Sequence, residues 1–108
     1  MLKRLLFVFA MLLIAAGTAF AAEKTLVVAH DATWPPMEYI DSSKNIVGYS
    51  VDYIDAIAKE TGVKVVHKNV AWSGIFAELA AQRCDVISSS VTITEERGKV
   101  MDFSIPYY

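Results

Sequence analysis

The sequence predicts an α/β fold, a small lobe built on a parallel sheet. Short runs rich in β-branched and apolar residues, Thr25 to Ala29, Val63 to Asn69 and Asp85 to Ser88, read as strands. The segments between them carry apolar residues at i, i+3, i+4 and i+7, the spacing of a helix with one buried face. The resulting order, strand–helix–strand–helix–strand, is that of parallel strands joined by right-handed crossovers.

Thr25-Leu-Val-Val-Ala29 is the first strand, apolar enough to be buried on both faces. His30 to Pro36 follows as a loop, because Pro35 and Pro36 exclude regular pairing. Met37 to Ile40 and Ile46 to Tyr49 flank the polar turn Asp41-Ser42-Ser43-Lys44-Asn45, which predicts a short hairpin. Ser50 is placed to cap a helix running to about Thr61, with Gly62 just past its end. Ile54, Ile57, Ala58 and Thr61 form its apolar stripe, while Asp52, Asp55, Lys59 and Glu60 face solvent. Val63 to Asn69 is the next strand, and Lys64 and Lys68 mark it as an edge.

Ser73 is placed to cap a second helix, with Phe76, Leu79 and Ala80 on its apolar stripe and Arg83 reaching along its end. Glu78 is expected to be solvated. A hydrophobic staple suffices to explain Trp72. Asp85 to Ser88 is the third strand, and Thr94 caps a third helix reaching about Met101, with Glu95 and Glu96 at its favourable end. Ile105 to Tyr108 begins a further strand.

Residues 1–21 read as a secretory signal peptide, not as part of the fold. Lys3 and Arg4 form a basic start, Leu5 to Ala16 an apolar core, and Ala19-Phe20-Ala21 a cleavage site after Ala21. Export to a bacterial periplasm is the expected destination, with residues 22–108 as the mature lobe. Without Lys3 and Arg4 the chain keeps eight Lys and Arg against twelve Asp and Glu, a formal charge of −4. An acidic domain with no basic run is a poor nucleic-acid binder. Cys84 is the only cysteine and is expected to be buried and inert. His30 and His67 show no metal-ligand spacing and read as ordinary polar positions. No nucleophilic triad and no phosphate-cradling glycine loop is present, so catalysis has no positive support and no cofactor or metal is expected.

Ligands of such sheets sit beyond the carboxyl ends of the strands. The topology sends three segments there: the loop with Trp34, the loop with Trp72, and the loop after Val86-Ile87. The last is the richest, with five hydroxyl residues in seven positions from Ser88 to Thr94. Arg97 follows in the first turn of a helix. Hydroxyls, a helix start and a guanidinium suit a carboxylate-bearing small molecule, since the arginine fork can hold a carboxylate through two hydrogen bonds. Arg97, Ser89, Ser90 and Thr92 are therefore candidate binding residues. Trp34, held on a loop by prolines, is a candidate lid or stacking platform for an aliphatic stem or cationic head.

Five ordered motifs carry a family resemblance. They are Trp34-Pro-Pro-Met-Glu38, Gly48-Tyr-Ser-Val-Asp52, Trp72-Ser-Gly-Ile-Phe76, Asp85-Val-Ile87 with Thr92-Ile-Thr-Glu-Glu-Arg97, and Asp102-Phe-Ser-Ile-Pro-Tyr-Tyr108. Together they resemble the bacterial family 3 solute-binding proteins, the periplasmic amino-acid-binding proteins of ABC importers. The resemblance covers essentially the whole chain after the leader. It implies a type II periplasmic binding protein, two α/β lobes closing on an amino acid, of which this chain carries most of the amino-terminal lobe. It implies that Trp34 stacks on the ligand side chain, that Ser89 and Ser90 line the pocket, that Thr92 meets the ligand's backbone groups, and that Arg97 clamps the α-carboxylate.

The expected ligand is a polar or basic amino acid, the expected partners are the importer's membrane subunits, and the protein is expected to be a monomer. Two features depart from the family pattern. Ser73 stands where aspartate is frequent, and the second lobe, with the acid that meets the α-ammonium group, lies outside this sequence. The chain is accordingly expected to be a truncated half-site. A cyclohexadienyl dehydratase-like enzyme fragment, or a remnant without binding function, are the alternatives the sequence leaves open.

Overall fold

Thr25–His30 forms β1, the central strand of a three-stranded parallel sheet, in a computed structural model that describes residues 23–108. The expected leader, residues 1–21, lies outside the described residues. Lys64–Asn69 (β5) pairs along the whole of β1, from Thr25 opposite Lys64 to His30 opposite Asn69. Val86–Ile87 (β6) pairs on the other side, with Val28 opposite Val86 and Ala29 opposite Ile87. Among the described residues β5 is an edge strand, as its lysines foretold.

Alternation along β1 splits its side chains between two helices. Ala29 joins Ile75 and Cys84 in a fully enclosed cluster, with Val27, Val70, Phe76, Leu79 and Ile87 packed round it. Ile75 belongs to the helix Trp72–Ala80, and its complete burial is worth about 2–3 kcal/mol. Burial also pushes the Cys84 thiol up from its ordinary value, which leaves it unreactive. Val28 and His30 point to the opposite face, beneath the helix Tyr49–Thr61.

Between β1 and that first helix (α1), a small antiparallel sheet lies in the order β2-β3-β4 (Thr33–Trp34, Glu38–Ile40, Ile46–Val47). The prolines do not prevent pairing. Thr33 and Trp34 lie opposite Tyr39 and Glu38, and the two prolines form the bend between them. The hairpin turn is organised by Asp41, whose Oδ1 accepts the amides of Ser43 and Asn45 at 2.8 and 2.9 Å.

The helix starts differ from expectation in an instructive way. Ser50 does not cap α1. The capping position is Gly48, and Ser50 is buried within the first turn. The free amides of Tyr49 and Ser50 instead donate to the carbonyls of Pro36 and Met37, at 3.0 and 2.9 Å. That approach is so close that a Cβ on Gly48 would lie 2.4 Å from the Met37 carbonyl oxygen, and Gly48 also has φ of +126°. Gly48→Ala is therefore expected to lower stability by about 3 kcal/mol. A fall in the urea midpoint with an unchanged slope would show it, and an unmoved midpoint would mean that the Pro36–Met37 bend yields freely.

The second helix, α2 (Trp72–Ala80), is likewise not capped by Ser73. A carboxylate from the loop after β1 does that work. On α1 the buried side is set by Val51 with Ile54 and Ala58 half-buried, while Ile57 is exposed, a one-position rotation of the expected stripe. Gly62 closes this helix in the left-handed conformation, as the sequence indicated. Arg83 does not reach along the end of α2. Its Nε donates to Glu78 Oε1 at 2.8 Å, and Lys68 holds the other oxygen of the same carboxylate. Glu78 is thus paired rather than solvated, and Lys68 followed by Arg83 holds its carboxyl below the usual range.

Thr94 caps the third helix, α3, which is a single turn, Glu95–Gly98, rather than a helix to Met101. Ile105 to Tyr108 does not form a strand. This segment instead lays tyrosines against α1. Tyr107 stacks on Tyr53 at 4.7 Å, and the Tyr49 hydroxyl donates to the Tyr107 carbonyl at 3.3 Å.

Candidate ligand-binding site

The carboxyl ends of β1 and β6 and the start of α2 meet at Asp31. The chain must leave β1 and turn sharply, and one buried aspartate fixes that turn. Its backbone amide donates to Ser89 Oγ at 2.8 Å. Its Oδ1 accepts the Thr33 hydroxyl at 2.8 Å, and its Oδ2 accepts the Trp72 amide at 3.0 Å. The second contact is the missing cap of α2, delivered from a distant strand, and a carboxylate suits the positive end of a helix. The neighbouring Ala32 amide donates to Asn69 Oδ1 at 3.0 Å, and the His30 carbonyl accepts the Val70 amide at 2.8 Å. One loop is thereby tied to β5, β6 and α2.

Ser89 belongs to this framework. It is buried, and its hydroxyl donates to Glu38 Oε1 at 3.2 Å while accepting from Asp31. Glu38 is wholly buried on β3, directly opposite Trp34. Trp34 itself stands out from the hairpin with 61% of its surface exposed. The buried Glu38–Ser89 contact thus holds the strand pair that presents the indole.

Ser90 and Thr92 differ from Ser89: both are exposed. Ser90 has φ of +50°, which turns the chain off the β6 ladder. Ser89, Ser90 and Thr92 line one open groove with Ile87, Val91 and the segment from Asp102 to Tyr108. Arg97 faces a separate shallow recess beside Thr94, Glu96 and Met101. The five expected binding residues therefore do not close one cavity. The hydroxyl loop is a groove, Arg97 adjoins it through Thr92, and Trp34 projects from the hairpin.

Arg97 is held with care for a residue in a one-turn helix. Its amide donates to Thr94 Oγ1 at 3.2 Å, and its Nη1 donates to the Thr92 carbonyl at 2.9 Å. The guanidinium carbon lies 5.6 Å from the centre of the Trp72 ring and 5.2 Å from that of Phe76. Those rings meet edge-on at 5.1 Å, so they form a corner that fits a planar cation. Trp72 is thus more than a staple. Among the described residues Arg97 makes no ion pair, whereas Lys64, Lys68 and Arg83 each have a carboxylate partner. One side-chain N–H of the five is occupied, which leaves a positioned fork open to an anion.

Asp31 and Glu38 escaped the sequence reading. Asp31 carried a usable signal, an aspartate directly after an apolar strand and two positions before a threonine, the pattern of a side chain that organises its own turn. Glu38 sits among apolar and aromatic neighbours, and a lone carboxylate in such a run points to a buried, partnered group.

The chain matches the family of bacterial extracellular solute-binding proteins, family 3, over residues 26–108. It is 38% identical to a probable histidine-binding protein of Neisseria gonorrhoeae over 87% of this chain and 35% of that protein. It is 37% identical to the L-cystine-binding protein TcyJ of Escherichia coli K12 over 77% of this chain and 31% of that protein. The chain thus spans about a third of the length of the curated relatives it matches. Among solved structures, the arginine-bound form of domain 1 from TmArgBP superimposes with a TM-score of 0.76 at 38% identity, covering 84% of this chain and 72% of that domain. An ancestral arginine-binding protein bound to arginine gives a TM-score of 0.75 at 44% identity, over 78% of this chain and 37% of that one. The parallel sheet, the hairpin carrying Trp34 and the loop leading to Arg97 are therefore those of a member of the bacterial extracellular solute-binding proteins, family 3.

Proposed function

We propose that this chain binds the zwitterionic end of an amino acid, as the amino-terminal lobe of a periplasmic receptor serving an ABC importer. The observation that carries this reading is Arg97, a half-buried guanidinium set in an aromatic corner with its fork free of any carboxylate among the described residues. A structural arginine at that position would be paired, as Arg83 is. Arg97 takes the α-carboxylate, and Ser90 and Thr92 offer hydroxyl and backbone groups to the polar head. Trp34 covers the side chain. Ser89, with its hydroxyl committed to Asp31 and Glu38, acts from behind by fixing the loop.

Arginine is the ligand to test first. The solved neighbours include arginine-bound structures, one of them of a single domain. An exposed indole suits both the aliphatic stem and the guanidinium of arginine through cation–π attraction. Export follows a leader ending at Ala21, the receptor acts as a monomer, and the acid for the α-ammonium group comes from a second lobe.

Calorimetric titration of this chain with arginine, histidine, cystine and glutamine tests the reading. Saturable binding of at least one of them, in the millimolar range or tighter, is expected. An intact fold by circular dichroism with no heat from any of the four would sink it.

A further inference from the structure

His30 and His67 are not ordinary polar positions. His30 closes β1 with no exposed surface, and its Nε2 lies 2.8 Å from Nδ1 of His67 on β5. The two rings are 5.0 Å apart, tilted by 40°. Nε2 of His67 lies 2.9 Å from Oδ1 of Asp55 on α1. The far end of this chain of rings, His30 Nδ1, is buried and has no hydrogen-bond partner. Beside it lies the backbone of Ser88, which favours a proton on the ring.

The direction of these hydrogen bonds follows from what each atom can do. A carboxylate only accepts, so His67 Nε2 carries hydrogen. With one hydrogen on each ring, His67 Nδ1 is a lone pair and His30 Nε2 donates to it. His30 Nδ1 is then a bare lone pair in the core, where it meets no donor. Adding one proton shifts the pair to its other tautomer, because a His67 that carries two hydrogens can only donate to His30. The proton enters at His30 Nδ1, the hydrogen on His30 Nε2 passes to His67 Nδ1, and His67 becomes the cation beside Asp55. His67 then donates to Asp55 and to His30, and the backbone of Ser88 favours the hydrogen that the His30 ring carries at its other nitrogen. A second proton would set N–H against N–H at 2.8 Å and is refused. Burial first, then the charge of His67, accordingly pushes His30 down to about 4.

We propose that His30 and His67 form a one-proton tautomer switch, in which uptake of a single proton by the pair reverses the hydrogen bond between the two rings while His67 goes on donating to Asp55. The charged groups facing the pair are few. α1 contributes Asp55 and β5 contributes His67 itself, while Lys68 faces the other side of the sheet and is held by Glu78. Just past β6, Ser88 contributes its backbone. Of the neighbouring carboxylates, Asp31 is held by Thr33 and Trp72 through both oxygens, and Glu38 is held by Ser89 through Oε1 while its Oε2 is buried without a partner among the described residues.

The consequence reaches the candidate site through the chain itself. His30 precedes Asp31, and Ser88 precedes Ser89, the two residues whose hydrogen bond locks the loop. Proton uptake moves the hydrogen on the His30 ring from one nitrogen to the other, one residue before that lock. The switch is independent of which ligand the site takes, so its test needs none.

Histidine-labelled chain, followed by long-range proton–nitrogen correlation as the pH falls from about 8 to about 4.5, reads the tautomers directly. The expected result is one step. In it His67 becomes imidazolium while His30 stays neutral and exchanges its Nε2 hydrogen for an Nδ1 hydrogen. The amides of Ser89 and Asp31 should move at the same midpoint. A His30 tautomer that never changes, or two separate steps in which both rings gain charge, would overturn the proposal. Asp55→Asn, at an exposed position, should shift the midpoint down by about one pH unit, and an unmoved midpoint would also overturn it.

Discussion

Replacing Arg97 with alanine is expected to weaken arginine binding by about 30-fold or more while leaving the fold intact. The magnitude follows from chemistry: truncating one partner of a desolvated, hydrogen-bonded charge pair costs about 2–5 kcal/mol, and each 1.4 kcal/mol is a factor of ten. The fold should survive because the side chain bridges only the Thr92 carbonyl and the Trp72–Phe76 corner, outside the cluster of Ala29, Ile75 and Cys84. Arg97→Lys makes the sharper comparison. Lysine keeps the charge but not the planar fork, and it cannot both donate to Thr92 and grip a carboxylate through two parallel bonds. It should lose about tenfold or more. Calorimetry on the two variants, with the urea midpoint as a control, separates the outcomes. Equal affinities for wild type and Arg97→Ala would remove Arg97 from the site and with it the main support for the binding reading.

Much of this arrangement was legible in the sequence, and the part that was not has a common cause. The alternation of strands and helices, the parallel order, the hairpin around Asp41, the Gly62 stop and the Thr94 cap all rest on local pattern, and all five stand in the structure. The capping of α1 and α2 was misplaced because both helices take their caps from afar. Pro36 and Met37 serve α1, and Asp31 serves α2 from 41 residues away. A serine at the right offset is a real local signal, but a better acceptor brought in by the fold displaces it. The same holds for Glu78, which looked solvated along its helix yet pairs with Lys68 and Arg83 once the strands are in place, while Asp55 stays exposed as expected and still reaches His67. Of the candidate site, the exposed members Trp34, Ser90 and Thr92 and the free guanidinium of Arg97 were visible as chemistry. Their supports, Asp31 and Glu38, act through tertiary contacts that no periodicity records.

Asp31→Ala is expected to be the most damaging single change near the site, because Asp31 is support rather than surface. Its carboxylate satisfies the Trp72 amide and the Thr33 hydroxyl at once, and both would lose their partner. A lost helix cap costs about 1 kcal/mol, and a buried donor left unpaired about 1–3 kcal/mol more. The total, about 3 kcal/mol, is a large fraction of what a lobe of this size holds in reserve. Binding should fall further than the unfolded fraction explains. With its start released, α2 no longer fixes Trp72, and Trp72 with Phe76 is what holds the Arg97 guanidinium in place. Asp31→Asn discriminates between the two roles of the side chain. An amide retains one acceptor oxygen for the Trp72 cap, but toward Thr33 it presents an NH2 that cannot accept the hydroxyl hydrogen, so it should recover about half of the stability and most of the affinity. Urea unfolding and arginine titration on both variants would read this split. Affinity that tracks the Thr33 bond instead, and stays as low in Asp31→Asn as in Asp31→Ala, would show that the loop itself, and not the anchored helix, sets the geometry of Arg97.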